Sequence, residues 1–465
     1  MTDFATLIAA DRGQQARTVH LVDKNSFEDW VKRRPAEDRA LLQANRFDGK
    51  TGYANAILPR GPEFEVVTTV ANVNSLSPWC LAKLAEVLPE GNYRLADGSP
   101  GPAALGWLLA QHRFDPYRSK KSDDDRGARV LLTSAPAAID SSVRLAAGTA
   151  LVRDLVNTPA IDLGPAELEQ AVRDQLAAVG AEVRVTSGDE LREGYPLIAA
   201  VGGGATQPRS PRLIEAEWGN PDHPRIAIVG KGVCFDSGGL DIKGASGMRL
   251  MKKDMGGAAH ALALAALIAG ERLPVRVHLL IPAVENAVSG GSYRPGDIIR
   301  SRKGLQVEID NTDAEGRLIL ADALTKAAEG EPELVIDFAT LTGAARVALG
   351  PDLPALFVND DTLAASIESS GRQVEDPVWR MPLWKPYDEM LKSDVADLVN
   401  SAPSSMAGAV VAAMFLKRFV PDALPWAHLD TFAWRENAKP GRPKGGEALG
   451  LRAVFAMLKG QYGLP

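Results

Sequence analysis

The chain has 465 residues, 45% hydrophobic and 24% charged, with 52 Lys and Arg against 59 Asp and Glu and a formal net charge of −7. These proportions exclude a disordered chain, a collagen-like repeat and a small disulfide scaffold, and the length suits two or three domains with a large core. A net acidic chain is a poor general nucleic-acid binder, which needs many phosphate-neutralising cations.

The N-terminus, MTDFATLIAADRG, lacks a basic stretch followed by an apolar run, so no secretory signal is expected. Residues 1–118 carry no assignable motif and are expected to form a smaller N-terminal α/β domain. Residues 119–160 read as a linker loop, a strand and a bridging helix, and residues 161–465 as a larger catalytic α/β domain with a mostly parallel sheet flanked by helices. The run Arg118–Arg126 is charge-dense and reads as an exposed loop. Val130–Thr133 follows as a strand. Val143, Ala146, Ala147, Ala150, Leu151 and Leu155 recur at helical steps, and Asn157-Thr-Pro159 ends that helix, because a residue before proline is pushed out of the helical region.

Farther on, Arg225–Val229, Val275–Ile281 and Leu334–Phe338 are short, β-branched-rich runs. Met255–Gly270 and Leu318–Ala328 are Ala- and Leu-rich helix candidates between them. Such alternation predicts a largely parallel sheet covered on both faces, with ligand sites beyond the carboxyl ends of its strands. The least polar stretch, Ala261–Ala269, is far shorter than the roughly 20 residues needed to span a bilayer. With only Cys80 and Cys234, no disulfide framework is expected, and a cytoplasmic protein is.

Three segments after these strands could carry chemistry. Gly230-Lys-Gly-Val-Cys-Phe-Asp-Ser-Gly-Gly239 is not a phosphate loop, because Gly232 follows Lys231 and Arg225 stands where the first glycine belongs. Ser237 lacks the preceding glycine of a nucleophile elbow. In the second segment, Lys243–Asp254, Asp254 directly precedes a helix, and taken alone it reads as an N-cap. Lys252 and Lys253 beside it read as solvated surface charge. In the third, Asn311-Thr-Asp-Ala-Glu-Gly-Arg317, a capping arrangement could use Thr312 and Glu315. Alternatively, Asp313, Glu315 and Arg317 would share one face of an extended segment, a better ligand set than a plain helix start. No H-E-x-x-H occurs, and His260 and His278 read as structural residues, so any metal site should be oxygen-rich. Arg435–Lys444 reads as a surface loop.

Val229–Gly239, Ser246–Ala259 and Asn311-Thr-Asp-Ala-Glu-Gly-Arg-Leu318 together resemble the cytosol (leucyl) aminopeptidase family, the last being that family's complete signature octapeptide. Matches at Arg153–Pro159, Glu285-Asn286, Arg294–Asp297, Ala339–Gly343 and Trp426–Asp430 extend the resemblance over about residues 140 to 460. It implies a dimetal exopeptidase. Lys231, Asp236, Asp254 and Glu315 match the tighter metal site, and Asp236, Asp313 and Glu315 the more exchangeable one, with Asp236 and Glu315 bridging. Lys243 and Arg317 match the catalytic cations, and Met251, Thr340, Leu341 and Gly343 match the pocket for the N-terminal side chain. The resemblance also implies two divalent ions per subunit (Mn²⁺ or Zn²⁺, with Mg²⁺ or Co²⁺ as further candidates), bicarbonate at Arg317, peptide substrates with a free N-terminus, and a homohexamer. Neither a membrane nor a nucleic acid is an expected partner.

The residue types suit that chemistry. Four carboxylates balance two dications, and a metal pair can acidify a shared water into a bridging hydroxide at neutral pH. Lys231 can ligate only as a neutral amine, which adjacent dications would enforce. Lys243 would stabilise the oxyanion of the tetrahedral intermediate. After Asp430 the chain reads Thr-Phe-Ala-Trp434, two residues shorter than the common family pattern and with bulky Phe432, so leucine preference does not follow. The competing readings are a two-metal phosphoesterase and a non-catalytic hexameric regulatory protein on the same fold.

Overall fold

The computed structural model describes residues 2–119 and 127–463. The charge-dense run ending at Arg126 lies mostly outside them. By contacts the chain divides into two units, Met1–Ala150 with Asn437–Lys444, and Leu151–Glu436 with Gly445–Pro465. The boundary falls inside the predicted helix, which runs Ile139–Asn157.

The first unit holds β1 (Ile8–Ala10), β2 (Arg17–Val22), β3 (Asn55–Arg60), β4 (Glu63–Thr69), β5 (Gly91–Leu95) and β6 (Arg129–Thr133). They form one sheet in the order β1-β6-β5-β2-β4-β3, parallel except for the β3–β4 pair. Tyr93, Trp107, Leu81 and Leu131 are fully buried in its core. Asn437–Lys444 joins this unit through Gly441, whose N–H donates to Glu86 Oε1 at 2.8 Å.

In the second unit the strands are β7 (Glu182–Ser187), β8 (Arg212–Trp218), β9 (Arg225–Gly230), β10 (Gly232–Asp236), β11 (Arg276–Asn286), β12 (Ile298–Arg300) and β13 (Gln306–Glu308). Then come β14 (Leu334–Ala339), β15 (Ala355–Val358), β16 (Trp379–Arg380), β17 (Leu398–Val399) and β18 (Trp426–Asp430). The main sheet runs β16-β15-β18-β14-β9-β11-β8-β7, with β10 also paired to β11. Its centre, β18-β14-β9-β11, is parallel, as predicted, while β7, β8 and β15 pair antiparallel towards the edges. Every residue of β14 is buried, as a strand covered on both faces requires.

The helix Gly256–Glu271 lies against this centre and is buried nearly all round. A Cβ at Gly257 would stand 2.1 Å from the Phe338 carbonyl oxygen, so only glycine allows helix and strand this close. The helix predicted from Leu318 begins earlier, at Glu315. Asp313, Glu315 and Arg317 therefore do not share an extended face. Nor is there a capping box, since Ala314 is the N-cap and no side chain caps it. Arg435, expected on a surface loop, is buried and paired with Glu447 and Asp352.

Among the described residues no helix is long and apolar enough to cross a membrane. Cys80 and Cys234 are both buried and form no disulfide with each other. Gly257→Ala is expected to destabilise the protein by about 1–3 kcal/mol, as overpacking against backbone does. Urea unfolding checks this, and an unchanged midpoint contradicts the close approach.

Candidate metal centre

Four carboxylates reach one place from three segments at the carboxyl end of the sheet. Asp236 closes β10, Asp254 follows the short turn Met251–Lys253, Asp313 sits in the turn before Glu315, and Glu315 opens its helix. One oxygen each of Asp236, Asp313 and Glu315 lie within 4.8 Å of one another. On the far side of Glu315, Lys231 Nζ is 2.9 Å from Glu315 Oε1 and 2.5 Å from Asp254 Oδ2. Glu315 thus joins two ligand sets, Asp236–Asp313–Glu315 and Lys231–Asp254–Glu315. All five sequence-derived ligands come together.

These residues fit a pair of hard divalent cations. Glu315 Oε2 is buried and accepts no hydrogen bond, and Asp254 Oδ2 and Asp313 Oδ1 accept none of good geometry despite neighbouring ammonium groups. Buried carboxylate oxygens left in this state are costly unless a cation meets them. Burial, reinforced by Asp236, pushes the Glu315 carboxyl up to about 8. The same two causes raise Asp313. Burial also opposes the Asp254 anion, but Lys231 and Lys253 outweigh it and hold that carboxyl below its usual range.

Two lysines stand among these carboxylates. Lys243 Nζ is 2.7 Å from Asp236 Oδ2 and also contacts Asp313 Oδ1. Burial would lower the Lys231 and Lys243 amines, yet the surrounding carboxylates, led by Asp254 for Lys231 and Asp236 for Lys243, raise both. Metal-free Lys231 is therefore a cation. The neutral amine expected of a ligand can arise only when dications displace that proton.

The candidate ligands are held by groups the sequence reading did not place around them. Asn286 Nδ2 donates to Asp236 Oδ1 at 2.9 Å and to the Thr312 carbonyl at 3.1 Å, tying the first ligand segment to the third. Thr312 Oγ1 donates to the Gly238 carbonyl and accepts from Asp241 N–H, which is why it does not cap the next helix. Asn400 Oδ1 accepts from the Asp310 and Asn311 amides, and its carbonyl accepts from Arg317 Nη1 at 2.6 Å. Among the described residues Arg317 Nε has no hydrogen-bond partner, and burial lowers this guanidinium to about 10. A Cβ at Gly316 would meet Lys231 Cε at 2.6 Å, so the signature's glycine leaves room for the lysine stem. Asp254 is not an N-cap. Met255 holds that position, and Asp254 Oδ1 instead accepts from Thr340 Oγ1 at 2.7 Å.

A cleft of about 510 Å³ opens over these groups, lined also by Met251, Thr340, Leu341 and Gly343. The Asp430 carboxylate fixes this wall. Its Oδ1 accepts from the Leu341 and Thr342 amides and its Oδ2 from the Thr342 hydroxyl. Lys253, expected on the surface, is 1% exposed and lines the same cleft, where burial lowers its amine to about 8. Lys252 is half-buried, and its ammonium donates to the Asn157 carbonyl. His260 is a core residue, accepting from Leu449 N–H, and His278 pairs with Glu215. A larger cleft of about 1070 Å³, near Met381 and Lys417, contains none of these groups.

Residues 150–455 match the cytosol aminopeptidase family catalytic domain, and residues 18–132 the M17 aminopeptidase N-terminal domain. A probable cytosol aminopeptidase of Roseiflexus castenholzii is 44% identical over 459 residues, 91% of this chain and 93% of that one. Another, of Syntrophotalea carbinolica, is 42% identical over 372 residues, 76% and 73% of the two chains. The crystal structure of cytosol aminopeptidase from Coxiella burnetii superposes with a TM-score of 0.92 at 43% identity, covering 98% of this chain and 99% of that one. The bottromycin maturation enzyme BotP in complex with Mn gives a TM-score of 0.85 at 32% identity, covering 96% and 100%.

The raised Glu315 pKa has a definite sign. Between its ordinary value of 4.5 and about 8, the folded metal-free chain holds a proton that the unfolded chain has lost, so stability falls as pH rises through that window. In EDTA-treated protein, the melting temperature of the wild type is expected to fall relative to Glu315→Gln between pH 5 and pH 8. A difference independent of pH contradicts the shift.

Proposed function

We propose, on the premise that the chain belongs to the cytosol aminopeptidase family and is a metal-dependent aminopeptidase, that Lys231, Asp236, Asp254, Asp313 and Glu315 hold two divalent ions and that Lys243 and Arg317 are the catalytic cations. The observation that carries this reading is the junction of two ligand sets at Glu315. Held by these residues, a pair of divalent ions such as Mn²⁺ or Zn²⁺ would supply Lewis acidity and would acidify a water for peptide hydrolysis.

The protein's own groups do the rest. The carboxylates and Asn286 fix the position of the site, so little rearrangement is needed at reaction. Lys243, whose ammonium contacts Asp236 and Asp313 at the edge of the site, would stabilise the negative charge growing on the scissile carbonyl oxygen. Arg317, anchored through Nη1 with Nε unpartnered, suits a planar oxyanion such as bicarbonate. Met251, Thr340, Leu341 and Gly343 would receive the side chain of the N-terminal residue. Family resemblance further supports a cytoplasmic homohexamer, for which light scattering should give six times the chain mass.

Asp236→Ala and Glu315→Ala are expected to abolish hydrolysis of aminoacyl anilides with Mn²⁺ supplied. Near wild-type turnover in either variant contradicts the ligand assignment. Lys243→Ala should lower kcat on the order of a hundred- to a thousandfold, the usual loss for one oxyanion donor. An unchanged kcat removes its role. A phosphate ester assayed with the same metal should not turn over.

A further inference from the structure

The wall of the cleft formed by the turn Met251–Lys253 and the helix Gly343–Leu349 carries two positive charges, Lys253 and Arg346, against one distant and shared carboxylate contact. Lys253 is buried beside the cleft, and its nearest carboxylate oxygen, Asp254 Oδ1, is 3.8 Å away and already bound by Thr340. The other Asp254 oxygen faces Lys231. Arg346 lines the same wall and has no carboxylate partner among the described residues. Its guanidinium reaches into the pocket, where a Cβ on Gly343 would sit 3.6 Å from Nη2.

Phe432 packs against both cations. Lys253 Nζ lies 5.4 Å and Arg346 Cζ 4.8 Å from its ring centroid. The bulky residue in the shortened loop therefore serves as a platform for a pair of cations. Beyond Asp254, the nearby acid is Asp430, and both its oxygens are engaged by Leu341 and Thr342. The carboxylates that line the cleft are the four proposed metal ligands. Cations held this way are costly without a counter-ion, and the cleft is open to one.

We propose that Lys253 and Arg346 determine specificity, making the first pocket a receptor for an anionic side chain, so that the preferred N-terminal residue is Glu or Asp rather than Leu. This rests on the aminopeptidase reading and names the substrate class of the same site. The arrangement is suited to charge and not to size alone. A carboxylate entering over Gly343 would meet the Arg346 fork and the Lys253 ammonium together, whereas a leucine side chain would leave both unpaired.

The test is a panel of Glu, Asp, Gln, Leu and Met anilides with the Mn²⁺-loaded full chain, beside calorimetric titration with free glutamate and glutamine. Glu should exceed its neutral isostere Gln in kcat/KM on the order of tenfold or more, and glutamate should bind more tightly than glutamine. Arg346→Met and Lys253→Met should bring the Glu/Gln ratio close to one, and Arg346→Lys should retain much of it. Arg346 lies at the cleft surface, so its variants remain informative should Lys253→Met fail to fold. Leading turnover of Leu and Met with Glu no better than Gln overturns the proposal and leaves the aminopeptidase reading intact. If no anilide is cleaved, the aminopeptidase reading falls. The pocket is then judged by calorimetry, where equal affinity for glutamate and glutamine overturns it.

Discussion

Like charge held close together in a water-poor cleft is the constraint on which the rest of this structure depends. Asp236, Asp254, Asp313 and Glu315 cannot all ionise side by side unless cations stand among them. Lys231 and Lys243 fill that role in part, and the raised Glu315 and Asp313 show what these two side chains leave uncompensated. The site is thus built for a greater positive charge than its own side chains supply. Its neutral supports follow from the same need. Asn286, Thr312, Asn400 and Thr340 fix the ligand segments by hydrogen bonds that add no further charge.

The sheet makes this concentration geometrically possible. β9, β11, β14 and β18 run parallel, so the segments leaving them emerge at one edge. Lys231 N–H donates to the Phe338 carbonyl, which places the end of one strand beside the end of the next. The helix Gly256–Glu271 then closes onto the strands at Gly257, bringing Asp254 to within reach of Lys231. Packing without side chains at Gly257 and Gly316 is what lets charged groups meet at the catalytic edge.

Much of this was legible in the sequence. The apolar runs in the second half located the central strands, and the three motif segments held every proposed ligand that converges. What escaped was information local pattern does not contain. Asp254 before a helix looks the same whether it caps or faces a metal, and only the approach of Thr340 and Lys231 separates the two. Thr312 could serve as a cap by spacing, but Gly238 and Asp241, distant in the chain, claim its hydroxyl. Lys253 beside another lysine suggests solvent, yet the following helix turns it under Phe432. Arg435 sits in a basic run and is nonetheless drawn inside by Glu447. Asn400 and Asp430 brace the site through backbone partners far away along the chain, and no spacing rule anticipates such bonds.

Metal stoichiometry tests the central claim most directly. The purified chain, stripped with EDTA, titrated with Mn²⁺ and freed of excess ion, should retain about two manganese ions per subunit by elemental analysis, with protons released as Lys231 and Glu315 give theirs up. Glu315→Ala, which removes the residue common to both ligand sets, should retain fewer than one. A wild type that holds a single ion, or a variant that still holds two, would contradict the account.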